Sequence, residues 1–130
     1  MLESEDQGSR MGLEKGIKEF NDEDFFTCHD TLEDVWMDVR GYERLFFQGL
    51  IQVSVGYYHL TCENYPGAEH LLGRGIEKLE DFVPAHRGID VGDLVRHSTK
   101  TLSNVVAVRE GRLENLSNRN FPRIVFADVC

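Results

Sequence analysis

The sequence predicts an all-α protein: a single compact bundle of about five helices with short links, an N-terminal leader and an irregular C-terminal tail. Three observations predict it. Apolar residues recur at three- and four-residue steps almost everywhere. Glycine and proline punctuate the chain at helix-length intervals. The period-two alternation of a half-buried sheet is missing over the same stretches. The chain has 130 residues, enough for one domain with one core.

Residues 1–10 are polar and acidic and read as a disordered leader. They lack the basic start and apolar stretch of a signal peptide. Residues 11–20 begin a short helix with Leu13, Ile17 and Phe20 on one side. Asn21 or Asp22 is placed to cap the second helix, and Glu23 and Asp24 in its first turn suit the helix dipole. That helix runs to about Arg40, where Gly41 stops it. A long helix over 42–63 follows, with Leu45, Gln48, Gln52, Gly56 and His59 on one stripe. Gly49 and Gly56 each cost about 1 kcal/mol against alanine in a helix interior, which close approach of a neighbouring helix would offset. Asn64-Tyr65-Pro66-Gly67 is a tight link, and Pro66 suits the start of the next helix. That helix, 66–82, turns Ala68, Leu72, Gly75, Leu79 and Phe82 inward, and Pro84 ends it. Residues 84–92 read as a loop. Asp90 leads into a last helix over 91–110, with Leu94, Val95, Leu102, Val105 and Val106 inward, and Gly111 stops it. The domain organisation is therefore a leader (1–10), a bundle (11–111) and a tail (112–130). The tail's apolar run Ile124-Val125-Phe126 reads as a strand, or as a segment packing across the bundle or onto a partner. Its removal is expected to leave the bundle folded and weaken association.

Lys and Arg number 14 against 23 Asp and Glu, a formal charge of −9. That balance argues against general nucleic-acid binding, which needs clustered cations, and against docking on anionic membranes. The longest apolar run, 49–60, is interrupted by Gln52, Ser54 and His59 and falls short of the ~20 residues of a membrane span. The expectation is no nucleic acid and no membrane insertion. Cys28, Cys62 and Cys130 have no metal-ligand spacing, and their odd number fits a reducing compartment, the cytoplasm. Cys28 reads as a small buried hydrophobe.

The most informative stretch is His29-Asp30-Thr31-Leu32-Glu33-Asp34-Val35-Trp36. His29, Glu33 and Trp36 stand at i, i+4 and i+7 and share a helix face, which also takes Phe25, Phe26 and Leu32. Ionisable groups among aromatics need partners or a chemical use. The long helix supplies a second polar stripe, Arg44, Gln48, Gln52 and His59. Two readings stand side by side. In one, Glu33 pairs with Arg44 and the glutamines bond the histidines, a polar network that sets helix register. In the other, His29, Glu33 and His59 ligate zinc or iron, as bundle interiors do elsewhere. His70, His86 and His97 read as surface residues, and Trp36 as a core anchor. Of Tyr57 and Tyr58, adjacent on one helix, at least one faces outward. No P-loop, GxGxxG, GxSxG or calcium loop is present.

The ordered motifs resemble a helical-bundle family known as domain of unknown function 309, found in bacteria, archaea and plastid-bearing eukaryotes. The family's His-Glu-x-x-Glu-x-x-Trp is similar to His29, Glu33 and Trp36, with Asp30 departing from the usual glutamate. Its Arg-x-x-x-Gln-Gly-x-x-Gln is similar to Arg44, Gln48, Gly49 and Gln52. His59, Asn64-Tyr65-Pro66-Gly67-Ala68 and Gly88-Ile89-Asp90 extend the likeness, which covers roughly 12–92. The resemblance implies an all-helical bundle and assigns no activity. The family's spread makes the plastid stroma, with a targeting segment removed, the alternative to the cytoplasm. With no catalytic arrangement in view, the expected role is a non-catalytic interaction or assembly module that binds a protein partner or itself. The alternative is a metal-dependent enzyme, such as a hydrolase, using His29, Glu33 and His59.

Overall fold

In the computed structural model, which describes residues 2–116 and 121–127, the chain runs up and down through five helices among the described residues. They are α1 (Leu2–Asn21), α2 (Phe25–Asp38), α3 (Glu43–Thr61), α4 (Tyr65–Leu79) and α5 (Val91–Arg109). A 3-10 turn, Glu80–Phe82, extends α4. Each helix packs on the next in sequence, as short links require, and the α3/α4 pair is the most extensive. None of the described helices is long and apolar enough to cross a membrane.

The tight α3/α4 packing follows from glycine. A Cβ on Gly75 would lie 2.6 Å from Val53 Cγ2 and 2.8 Å from the Gly49 carbonyl oxygen, and one on Gly56 would lie 2.8 Å from Leu72 Cγ. The close approach expected from Gly49 and Gly56 is therefore present. Asn64 caps α4 by accepting the Gly67 N–H at 3.1 Å, and Asp90 caps α5 by accepting the Asp93 N–H at 2.9 Å. At the start of α2 the N-cap is Asp24, without a side-chain cap bond. Asn21, expected as a cap, instead accepts the Ile124 N–H at 2.7 Å and donates to the Ile124 carbonyl at 3.1 Å.

Three boundaries depart from the sequence reading. The first helix starts at Leu2 rather than at residue 11. Beyond Leu13 its packed side continues to Ser9, which is buried, and Gly12 and Gly16 let it close onto Val35 and Leu32 of α2. The loop after Pro84 contains an antiparallel hairpin, β1 (Ala85–His86) and β2 (Ile89–Asp90). The tail from Phe121 crosses the bundle: Asp90 N–H donates to the Val125 carbonyl and Ala127 N–H to the Gly88 carbonyl, both at 2.8 Å. Ile124 is buried, and Phe121 packs on Phe25 and Tyr57 at ring-centroid distances of 5.3 and 5.8 Å. Of the three fates open to the tail, the described part packs on its own bundle. Cys130 lies outside the described residues.

The core is built from Phe20, Phe25, Leu32, Phe46, Phe47, Leu50, Val53, Leu72, Leu79 and Leu94 around Tyr57. The Tyr57 hydroxyl shares a 3.0 Å hydrogen bond with Ser98 and donates to Thr101 at 3.4 Å, so its polar end is satisfied. Cys28 is fully buried, as expected. Burial pushes its thiol up to about 12 against the opposing pull of the Ser54 hydroxyl at 3.3 Å, which leaves it an inert core residue.

Candidate functional site

The core face of α3 is Phe46, Phe47, Leu50, Val53, Tyr57 and Leu60, and that of α2 is Phe25, Cys28, Leu32 and Val35. The polar stripe lies about a quarter-turn away on each helix. His29, Glu33, Trp36, Arg44, Gln48, Gln52 and His59 are therefore half-buried on the helix flanks rather than inside the core. Leu45 and Phe26, read as inward, are exposed. The reason is competition for the interior. Phe25 and Phe26 are adjacent and point about 100° apart, so only one can face it, and the larger apolar set wins on α3.

On α2, the His29 Nδ1–H donates to the Phe26 carbonyl at 2.8 Å. Its Nε2 then faces Glu33 Oε2 at 3.4 Å, and Asp30 Oδ1 lies 3.6 Å from Nδ1. Ten residues along the flank from Phe26, the Arg44 guanidinium stacks over the Trp36 ring with its carbon 3.8 Å from the centroid. The Trp36 Nε1–H and the Arg44 Nε–H are buried with no hydrogen-bond partner among the described residues, and so is Gln52 Oε1. At the other end of the flank, Phe26 meets Tyr58 of α3, ring centroids 5.4 Å apart. Sequence reasoning turned one of Tyr57 and Tyr58 outward, as Tyr58 is, but read Phe26 as inward and missed the pairing of the two rings. The Phe25-Phe26 doublet and the adjacent Tyr57-Tyr58 held the signal, since neither pair can be wholly buried.

Both sequence-based networks need correction. Glu33 is matched with His29 on its own helix, and Arg44 with the Trp36 ring, so the Glu33–Arg44 ion pair is not formed. His59 Nδ1 accepts from Asn64 Nδ2 at 3.0 Å, and its ring abuts Gly67 at the α3–α4 link. His59 thus braces the link, and the glutamines do not bond the histidines among the described residues. With His59 held there, the proposed ligand trio His29, Glu33 and His59 is not assembled. No group of three His, Cys, Asp or Glu side chains among the described residues is arranged to hold an ion. His70 and His97 are exposed, as expected, whereas His86 is half-buried against Glu43.

Residues 13–71 match the family described as Domain of unknown function (DUF309). The likeness read from the His29–Trp36 and Arg44–Gln52 blocks is thereby borne out, while Gly88-Ile89-Asp90 lies beyond the matched residues. An uncharacterised protein of Bacillus subtilis (strain 168), YpuF, is 32% identical over 68 residues. That stretch is 52% of this chain and 37% of YpuF, so the chain spans well under two thirds of this relative.

Proposed function

We propose that this DUF309-like chain is a non-catalytic helical module that engages a protein partner, or a second copy of itself, through the flank shared by α2 and α3. The exposed Phe26–Tyr58 pair carries this reading. Phe26 is 52% exposed and Tyr58 36%, yet the two rings already pack against each other in a tilted pair. Two aromatic rings held in water at fixed geometry offer contact area at little ordering cost. Along the same flank stand Trp36 and Arg44, residue types enriched in interface hot spots. The adjacent charges, Asp30 and Glu33, form a polar rim.

The test places a photo-crosslinking side chain at Phe26, at Tyr58 and, as a control, at exposed Lys100 on α5. Crosslinks from the first two positions and none from Lys100 are expected, to a discrete product whose mass identifies partner or self. The F26S/Y58S double variant should keep the helical circular-dichroism spectrum and melting temperature while losing that product from a crosslinker placed at Glu33. Equal labelling from all positions, or a product unaffected by the double variant, refutes the proposal.

A further inference from the structure

A second grouping lies apart from the α2/α3 flank, where the β1–β2 hairpin folds back on the first turn of α3. His86 Nε2 is 2.8 and 3.0 Å from the two Glu43 carboxylate oxygens, and Arg87 Nε donates to Oε1 at 2.5 Å. The His86 ring sits edge-on between Phe46 and Phe82, with centroids 4.7 and 4.8 Å away. The Arg87 guanidinium lies over the Phe47 ring at 5.1 Å. Arg10 and Leu13 of α1 together with Glu43, His86 and Arg87 line a cavity of about 360 Å³. That volume lies within the range of small-molecule sites.

Three features distinguish the grouping from an ordinary surface ion pair. The first is charge. The lining sets Arg87 and His86 on the single Glu43 carboxylate with Arg10 beside them, on a chain whose formal charge is −9. The second is backbone conformation. Arg87 has φ +51° and Gly88 φ +78°. A left-handed pair in a two-residue hairpin loop normally takes Asn, Asp or Gly, and a longer side chain there costs about 1 kcal/mol. Such a disfavoured residue directs attention to its side chain. The third is hydrogen bonding. Glu43 takes the Arg87 Nε–H and leaves the two terminal amino groups without a hydrogen-bond partner among the described residues. Guanidinium groups held from behind in this way match the oxygen geometry of carboxylates and phosphates.

We propose that this cavity binds a small oxyanion-bearing molecule, a carboxylate or phosphate group. The terminal amino groups of Arg87 donate to it and Arg10 adds positive charge, while Glu43 and His86 act as positioning residues. The site is independent of the α2/α3 flank. The experiment titrates the intact protein with inorganic phosphate, with succinate and, as control, with chloride at matched ionic strength, following the Arg87 Nε–H and Gly88 amide resonances. Phosphate or succinate should shift both signals saturably, chloride should not, and the tighter of the two identifies the class. R87N retains a residue that tolerates the left-handed turn, so it should stay folded, with a melting temperature lowered by the loss of the Glu43 hydrogen bond, and weaken binding at least tenfold. R10Q should weaken it less, and R96N, on the exposed side of α5, not at all. Should R87N fold poorly, R10Q decides. Wild-type protein that never saturates, shifts matched by chloride, binding by folded R87N that equals the wild type, or, with R87N unfolded, unweakened binding by R10Q would each overturn the proposal.

Discussion

Glu43 is a carboxylate whose surroundings change its chemistry. Burial pushes its carboxyl up, but the hydrogen bonds from Arg87 and His86 outweigh that and hold it below the usual glutamate value. A carboxyl depressed in the folded state contributes stability above its unfolded value, about 4.3, and loses it as pH falls through the lower folded value. Urea midpoints of the wild type should therefore drop on acidification below about pH 4.3, and E43Q should flatten that limb; parallel curves would argue that the group is unimportant to folding. This cluster also marks the limit of what the sequence showed. Helical spacing made His29, Glu33 and Trp36 legible as one face of a helix, with Arg44 on the next, but that face was read as inward and is a half-buried flank. Their partners were not legible. Glu33 found His29 one turn away and Arg44 found a ring, and a histidine four residues distant is a closer neighbour than a cation on another helix. Glu43 and His86 are 43 residues apart, and no local period connects them.

Among the elements, α4 offers a paired test of why its glycines are there. Gly75 faces the α3 backbone, with the Gly49 oxygen and the Val53 nitrogen under 3 Å from where a Cβ would stand. Gly73, half a turn away, has nothing within 4 Å. Helix propensity alone favours alanine at both by about 1 kcal/mol. G73A should therefore raise stability by roughly that amount, whereas G75A should lower it by about 2 kcal/mol through overpacking, as read from chemical denaturation midpoints. Stabilisation by both would mean the α3/α4 spacing is looser than described. The helices themselves were readable because caps and glycines such as Asn64, Pro66 and Gly41 punctuate a strong helical period. The hairpin was not readable, since strands of two residues are too short to alternate. The extension of α1 to Leu2 was hidden because residues 1–10 are polar and carry no apolar period, and of residues 7–10 only Ser9 is buried.

At the scale of the whole molecule, the segment after α5 is a structural part of the bundle. Ile124 is 3% exposed, and Phe121 completes a ring cluster with Phe20, Phe25 and Tyr57. I124A should cost about 3 kcal/mol, and removing residues 121–130 should lower the melting temperature by several degrees rather than leave the bundle intact. An unchanged melt would show that the tail is only laid on the surface. The reciprocal Asn21–Ile124 hydrogen bonds, which join groups 103 residues apart, bear on how this protein is made. During vectorial synthesis, at about 5–20 residues per second, the N-terminal helices leave the ribosome seconds before the segment that seals their aromatic cluster. Until residue 124 emerges, Phe20 and Phe25 stay uncovered on one side, so the nascent chain passes through a sticky, unfinished stage that chaperones are suited to guard.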